Sequence, residues 1–287
     1  MVLEVCDGRS ETASESRSCG APAEAPGPMR LDRRNRPVVP CTPAKVQAAI
    51  HPIEDAAMPR GSRIVAVMTG DIIGSTRYSP KERQRLDRVL RAAFGDLEKR
   101  FPGAVHTRIA FRITAGDEFQ CVIRDVPRAL EILTYVRAVA ATGGLRPPVR
   151  FRASLGVGEI SVGRRASPYE EDGTAFVRSR QGLDELDKMR SPKRWTKLLT
   201  GRRERDRAAD AVLCLADYLF ERWTVPQWEA VRWTLLGHTR KAISKKLGIA
   251  HQNVTKRLLA AGWHYLEHPF QFMHGLLLET SGTLKRV

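Results

Sequence analysis

The chain has few cysteines, and they form neither a disulfide framework nor a zinc site. The five cysteines are Cys6, Cys19, Cys41, Cys121 and Cys214, an odd number without any CxxC spacing. This pattern is typical of proteins in a reducing compartment. We therefore expect a cytoplasmic protein without structural disulfides.

Long apolar runs and targeting segments are missing as well. No uninterrupted apolar run approaches the length of about 20 residues that a membrane helix needs. The opening MVLEVCDGRSETASES has no basic stretch followed by an apolar one, so it does not match a secretory signal peptide. We find no internal repeats. These absences predict a protein without a membrane partner.

Positive charge is present in large excess. The 287 residues include 48 Lys and Arg against 32 Asp and Glu, which gives a formal net charge of +16. Such an excess favours a polyanionic partner such as nucleic acid. The generous use of arginine by high-GC bacteria would explain the same excess without any partner, so composition alone leaves both explanations open.

The sequence divides into four predicted segments. Residues 1–60 are rich in Pro, Ala, Ser, Glu and Arg without a sustained period, which predicts a disordered leader and a folded part that begins near Met58. Residues 61–200 alternate strand-like and helical patterns. Residues 201–206, GRRERD, are predicted to be a basic linker, and residues 207–287 an all-α domain.

The segment 61–200 predicts an α+β domain. A helix should begin after Ser79 as N-cap with Pro80 in its first turn, a second follows the hairpin, and a third covers 173–188. The predicted strands are, in order, RIVAVMTGDII, TRIAFRIT, EFQCVIR, VRFRASLGVGEISVG and RWTKLLT, of which the fourth segment is predicted to be a strand or a hairpin. The order β-α-β-β-α-β predicts a ferredoxin-like fold with an added α-β unit.

Two acidic turns are the strongest functional signal. VAVMTGDIIGST at 65–76 places Asp71 where an apolar strand enters a turn, and FRITAGDEFQCVI at 111–123 places Asp117 and Glu118 at a hairpin tip. The predicted fold brings both turns to the same end of adjacent strands. Carboxylates beside free backbone N–H groups suit Mg²⁺ and a triphosphate.

The residues of the first turn complete this prediction. Asp71 and Asp117 are candidate metal ligands, because hard oxygen donors suit Mg²⁺. Gly74, Ser75 and Thr76 offer N–H and hydroxyl donors to phosphates. Gly and Asp are also ordinary turn residues, and taken singly they indicate nothing more than a turn.

The C-terminal segment contains a helix-turn-helix pattern, GHTRKAISKKLGIAHQNVTKRLLAAGW. Ile243, Leu247, Val254 and Leu258 are predicted to pack inward, and Gly248 to allow the turn. The outward positions predicted to meet base edges are His251, Gln252, Thr255 and Lys256, and those predicted to meet phosphates are Arg240, Lys241, Lys245 and Arg257. A three-helix protein-interaction module is the alternative.

These motifs resemble known families. TGDIIGST resembles the first metal turn of class III nucleotidyl cyclases, and AGDEF resembles their hairpin acid and, more distantly, that of GGDEF-type palm domains. SLGVGEISVG and GTAFVRSRQGLDEL are similar to later cyclase segments. The C-terminal pattern resembles sigma-factor region 4. In this order, residues 63–265 most closely resemble the SatD family.

The resemblance implies roles for individual residues. Asp71 and Asp117 would hold Mg²⁺ or Mn²⁺ with the main-chain carbonyl of Ile72, and Glu118 would contribute to nucleotide binding. Arg180 falls near the arginine that stabilises the transferring phosphoryl group in cyclases, although helix charges such as Arg180 usually face solvent. Cyclases complete their site across a dimer, so the resemblance leaves a homodimer open.

The sequence also departs from the cyclase pattern. Phe176 stands where cyclases carry the asparagine that orients ribose, and the base-reading lysine has no clear counterpart, although Arg112 lies one residue from its place. Loss of these positioning groups predicts a large loss of cyclase activity, because such catalysis depends on alignment and charge stabilisation.

Three functional hypotheses follow. The first is a DNA-binding transcriptional regulator whose cyclase-like domain binds a metal-bound triphosphate or a cyclic or oligonucleotide ligand and alters the helix-turn-helix. The second is an enzyme, a Mg²⁺- or Mn²⁺-dependent nucleotidyl cyclase or oligonucleotide synthase. The third is a protein-interaction adaptor.

Overall fold

A sheet of five strands organises the first half of the chain. The computed structural model describes residues 63–105, 112–113, 117–160, 173–189 and 193–284. The strands are Arg63–Ile72 (β1), Arg112–Ile113 (β2), Glu118–Ile123 (β3), Phe151–Ile160 (β4) and Thr196–Leu199 (β5). Their spatial order is β2-β3-β1-β4-β5. The first four pair antiparallel, and β5 is parallel to β4.

Strand β1 is central because both of its faces are apolar. Ala66 and Met68 face the main core, whereas Val65 and Val67 belong to a smaller cluster with Ala175. All five residues are buried. A strand with β-branched and apolar residues on both faces is stable only when both are covered, which fits the centre of a sheet with helices on each side.

Helices make up most of the remaining described chain. They are Pro80–Arg100 (α1), Ala129–Ala141 (α2), Thr174–Lys188 (α3), Arg203–Arg222 (α4), Val225–Leu235 (α5), Arg240–Leu247 (α6), His251–Ala260 (α7) and Glu267–Leu284 (α8). Helix α1 begins as predicted, with Ser79 and Glu82 in a reciprocal capping box and Pro80 in the first turn. The mixed α+β class is confirmed. None of the described helices has the length and apolar content to cross a membrane.

Helix α3 lies directly on β4 because glycines remove the side chains between them. A Cβ atom on Gly156 would stand 2.2 Å from the backbone nitrogen of Ser179 and 2.3 Å from the carbonyl oxygen of Ala175. A Cβ atom on Gly182 would stand 2.1 Å from the hydroxyl of Ser154. The backbones therefore approach more closely than any larger residue would permit.

The apolar core continues across the predicted domain boundary. Residues 59–287 form one compact unit. Helices α4 and α8 contribute Leu213 and Leu277 to the same buried cluster that contains Phe119 and Leu155 of the sheet. The C-terminal helices therefore do not fold around a core entirely their own.

The predicted basic linker 201–206 needs correction, because α4 begins at Arg203. Asp206, in the first turn, accepts hydrogen bonds from the backbone N–H and the hydroxyl of Thr200, at 2.7 Å and 2.6 Å. These bonds hold the first turn of a helix where a basic linker was expected. The predicted disordered leader, residues 1–60, lies outside the described residues.

A second apolar cluster joins α5, α6 and α7. Ile243, Val254 and Leu258 are buried in it, as predicted, and Leu247 is partly buried. Between α6 and α7 the backbone turns at Gly248, whose φ of 64° is the left-handed conformation that glycine adopts without strain. Two short helices thus meet at a tight turn over a shared apolar contact.

Candidate functional site

The acidic residues of the two turns meet at one end of β1 and β3. The antiparallel register places Asp71 directly opposite Glu118. Asp117 immediately precedes β3, and its carbonyl oxygen accepts a hydrogen bond from the backbone N–H of Ile72 at 3.2 Å. The carboxyl groups that the sequence singled out therefore lie together where β1 ends and β3 begins. We call this end of the two strands, with Asp71, Asp117 and Glu118, the acidic edge.

The turn after β1 adds donors to this edge. Gly74 has a φ of 67°, and the short 3₁₀ turn Ser75–Arg77 follows it. The Ser75 hydroxyl donates a hydrogen bond of 2.5 Å to a carboxylate oxygen of Asp117. Thr76 is exposed beside it. The first turn is therefore tied to the second by a side-chain contact.

Arg152 is a member of the site that sequence reasoning missed. It lies opposite Asp71 on β4, the other neighbour of β1. One terminal nitrogen of its guanidinium donates to Asp71 at 2.7 Å, and the other donates to Asp187 of α3 at 2.5 Å. Only the strand register brings these residues together, and the sequence pattern does not specify that register.

Arg180 reaches the acidic edge from α3. Its guanidinium donates to the carboxylate of Glu118 at 2.5 Å and lies 3.7 Å from Asp184. The side chain is half exposed, so it pairs with an acid while still facing solvent. Its neighbour Arg178 differs, because it donates at 2.6 Å to the carbonyl oxygen of Val157 on β4.

The electrostatics of the edge centre on Asp71. Partial burial raises the pKa of the Asp71 carboxyl above its ordinary value. The hydrogen bond and charge of Arg152 oppose this rise, whereas the negative charges of Asp117 and Glu118 add to it. The raised pKa of Asp71 therefore reflects its burial first, and a cation bound directly to the carboxylate would favour the ionised form.

The donor set fits a divalent cation that arrives with phosphates. The carboxylates of Asp71 and Asp117 and the carbonyl of Ile72 are oxygen ligands of the kind that Mg²⁺ prefers. Within the described parts of the chain, no group of three or more His, Cys, Asp or Glu side chains is arranged to hold a metal. Mg²⁺ at nucleotide sites is commonly held by one or two carboxylates plus substrate phosphates, which matches this set.

Phe176, which the sequence comparison set against the ribose-orienting asparagine of cyclases, has a structural role. It lies in the first turns of α3 and packs against the apolar cluster that contains Val65 and Val67. An apolar side chain held in this way offers no hydrogen bond to a ribose.

The predicted DNA-contacting positions divide into two groups. Those that the structure exposes are Arg240, Lys241, Lys245, His251, Gln252 and Lys256. Thr255 is half-buried, and its hydroxyl donates to the carbonyl oxygen of His251 at 3.4 Å. Arg257 lies 3.0 Å from the carboxylate of Glu229 on α5, with which it forms an ion pair, and its role as a phosphate contact stays a prediction.

Lys246 was not among the predicted contacts. Its ammonium lies 4.5 Å from the ring centre of Trp233, in a cation–π arrangement. The run of basic residues in KAISKK could have indicated Lys246 as a surface cation. Its contact with Trp233 could not be predicted, because that ring lies on a different helix, α5.

Comparison with known proteins identifies a family and a weak likeness to a solved structure. The SatD family matches residues 64–268. A similar solved structure, the crystal structure of the guanylyl cyclase Cya2, is 15% identical, with 44% of this chain and 71% of that chain covered at a TM-score of 0.30. At that score the likeness carries no argument about this chain. No curated protein matches. The match over residues 64–268 shows that the chain belongs to the SatD family.

Proposed function

We propose that this SatD family protein is a DNA-binding regulator whose sheet domain binds a metal-bound nucleotide. The observation that carries the proposal is the convergence of Asp71, Asp117 and Glu118 at one strand edge, beside the turn at Ser75. Carboxylates and turn N–H groups in this arrangement suit a cation and a polyphosphate.

The strand order supports a ferredoxin-like, palm-like assignment for the sheet. In the order β2-β3-β1-β4, the pairs are antiparallel and β1 is flanked by β3 and β4. The sequence order of helices between these strands is that of a βαββαβ unit. Strand β5 is then an addition at the β4 edge.

Each group at the edge has a role in the proposed complex. Asp71 and Asp117 hold Mg²⁺ or Mn²⁺, which neutralises phosphate charge. Gly74, Ser75 and Thr76 donate to phosphate oxygens through the N–H and hydroxyl groups at the start of the tight turn, and the Ser75 hydroxyl leaves Asp117 to do so. Arg180, half exposed and already at Glu118, is placed to pair with a phosphate.

The C-terminal helices supply the proposed DNA contact. Helices α6 and α7 with the turn at Gly248 form a helix-turn-helix, in which α7 enters the major groove. His251, Gln252 and Lys256 are exposed on α7 and meet base edges. The exposed cations of α6 meet phosphates. The net charge of +16 supports a polyanionic partner.

The direct test is nucleotide binding by the wild type and the Asp117→Ala variant. Calorimetric titration with each of the four ribonucleoside triphosphates and Mn²⁺ should show metal-dependent binding that the variant weakens by more than about tenfold, because a charged ligand to the metal is lost. Duplex DNA binding, measured by fluorescence anisotropy, should change less than about twofold.

Asp87→Ala is the matched control. Asp87 is a partly exposed carboxylate on α1 that pairs with Arg91 within the same helix. Its removal should affect neither ligand. If the wild type binds no triphosphate in the presence of Mn²⁺, the proposed nucleotide site is wrong. If Asp117→Ala weakens triphosphate binding and DNA binding equally, the assignment of the two ligands to separate parts of the chain is wrong.

A second candidate function is a Mg²⁺- or Mn²⁺-dependent nucleotidyl cyclase or oligonucleotide synthase. The approach of Arg180 to Glu118 favours it, because a guanidinium beside the carboxylates could stabilise a transferring phosphoryl group. Phe176 argues against it. Incubation with all four triphosphates and Mn²⁺, followed by mass analysis, separates the two: a cyclic or oligomeric product supports the enzyme, and its absence with retained binding supports the regulator.

A further inference from the structure

Asp71, a proposed metal ligand, already has a cation bound to it. The guanidinium of Arg152 lies 2.7 Å from one carboxylate oxygen of Asp71. The side chain of Arg152 is one quarter exposed, and that of Asp71 is one fifth exposed. A divalent cation on Asp71 would need the carboxylate that this guanidinium holds, so the two cations compete for one ligand.

Arg152 is anchored less completely than its two ion pairs suggest. Its second pair is with Asp187 on α3, whose side chain is 70% exposed, so solvent screens that interaction strongly. Its Nε atom is buried and has no hydrogen-bond partner among the described residues. A guanidinium has five donors in a planar fork, and the capacity of Arg152 is therefore not fully used by its two ion pairs.

The chemistry of the guanidinium suits a phosphate. Arginine pairs with phosphate oxygens through two parallel N–H···O bonds, and it is always charged. A phosphate group near the Asp71–Asp117 edge would lie beside the Arg152 fork. The same side chain can thus serve two anions in turn, a carboxylate when the site is empty and a phosphate when it is filled.

We propose that Arg152 exchanges partners on ligand binding: it neutralises Asp71 in the free protein, and it binds a phosphate of a divalent-metal-bound triphosphate when the metal takes Asp71. This inference rests on the proposed function and adds the residue that links metal binding to phosphate binding. Because Arg152 also contacts Asp187, its movement would release one contact between the sheet and α3.

A purely structural role for Arg152 predicts something different. If the side chain only fastens β1 to α3, its removal would loosen the site and weaken metal and triphosphate binding together. Exchange predicts that the two affinities change in opposite directions. Removal of the side chain frees Asp71 and strengthens metal binding, but it deletes a donor to the phosphate and weakens triphosphate binding.

The test measures the two affinities separately in Arg152→Met. Binding of Mn²⁺ alone, followed by electron paramagnetic resonance, should become about tenfold tighter. Binding of the triphosphate to the protein already saturated with Mn²⁺, followed by calorimetry, should become about tenfold weaker. Each change is the size of one charge-assisted hydrogen bond. Arg150→Met is the matched control. Arg150 is an exposed arginine just before β4 that donates to the carbonyl oxygen of Glu221 at 3.3 Å, so neither affinity should change.

A second variant keeps the test informative if Arg152→Met does not fold. Arg152→Lys retains a cation against Asp71 but loses the fork. Mn²⁺ affinity should stay within about twofold of the wild type, and triphosphate affinity should fall severalfold. Unchanged or weaker Mn²⁺ binding in Arg152→Met, or unchanged triphosphate binding, would overturn the exchange.

Failure of the exchange and failure of the proposed function are distinguishable. If Asp117→Ala abolishes triphosphate binding while Arg152→Met changes neither affinity, the nucleotide site stands and only the exchange is wrong. If the wild type binds no triphosphate with Mn²⁺, the nucleotide site and the exchange are both wrong.

Discussion

At the scale of single residues, Asp217 is a buried carboxylate with several hydrogen-bond and ion-pair partners. It is 1% exposed and accepts hydrogen bonds from the backbone N–H groups of Trp195 and Thr196, at 2.8 Å and 2.9 Å. The Thr196 hydroxyl adds a third bond at 2.6 Å, and Arg194 lies 3.4 Å away. One buried side chain of α4 thus organises the start of β5.

Arg137 of α2 completes this buried network. Its guanidinium donates to the carbonyl oxygen of Trp195 at 2.6 Å and lies 3.8 Å from Asp217. Burial lowers the pKa of the Arg137 guanidinium to about 10, and the charge of Asp217 opposes that shift. The buried positive charge of Arg137 is therefore compensated by the carboxylate of Asp217.

We expect Asp217→Asn to lower the free energy of unfolding by about 3 kcal/mol, because it leaves Arg137 without a countercharge and replaces an acceptor oxygen by a donor. Urea denaturation measures this. Asp210→Asn is the control, since the side chain of Asp210 is one third exposed and should cost less than about 1 kcal/mol. Equal losses in the two variants would show that the network is not the source of the stability.

Individual site residues could be predicted only where local pattern sufficed. The approach of Asp71 to Asp117 follows from two strands that end in acidic turns, and the structure places them on one edge. The role of Arg152 depends on the β1–β4 register, and the pairing of Arg257 with Glu229 depends on how α5 packs on α7. No local sequence pattern predicts either contact.

At the scale of elements, the contact between β4 and α3 positions one wall of the site. Helix α3 carries Arg180 and Asp187, and it can place them over the strands only because Gly156 and Gly182 let the backbones approach. The buried hydroxyls of Thr69 on β1 and Ser179 on α3 also share a hydrogen bond of 2.8 Å. Helix α3 is therefore joined to β1 by a buried hydrogen bond as well as packed closely on β4.

We expect Gly156→Ala to destabilise the fold by about 3 kcal/mol, because the added methyl group collides with backbone atoms of α3, which cannot move as a flexible side chain could. Thermal or urea unfolding measures the change. Gly95→Ala is the matched control: Gly95 lies exposed in α1 with open space at its Cβ position, and the change should stabilise the helix by about 0.7 kcal/mol. A neutral Gly156→Ala would refute the close contact.

Strong periodicity and caps made most elements predictable. Strands β1, β3, β4 and β5, the helix that begins after Ser79, and the C-terminal helices occur where the sequence indicated. Of the predicted strand TRIAFRIT, only residues 112–113 belong to the described part of the chain. The start of α4 was missed, because GRRERD has no apolar period and its stabilising contact, from Asp206 to Thr200, is between polar side chain and backbone. Polar first turns of helices resemble linkers in composition.

At the scale of the whole molecule, two apolar clusters share helix α2. Ile132 and Val136 of α2 belong to the cluster with the sheet. Ala138 and Ala141 belong to the cluster with Ile243. A change at the sheet therefore has a packed route to α6 and α7, and contiguous packing is one physical basis of coupling between sites. The sequence could not indicate this route, because it joins segments more than 100 residues apart.

We propose that binding of the triphosphate at the acidic edge and binding of DNA at α6 and α7 are coupled. The most direct measurement is a calorimetric titration of the triphosphate, with Mn²⁺, in the absence and in the presence of saturating duplex DNA selected for tight binding. We predict that DNA changes the triphosphate affinity by about fivefold or more, and that the triphosphate changes the DNA affinity by the same factor, because coupling free energies are reciprocal. Identical triphosphate affinities with and without DNA would contradict the account.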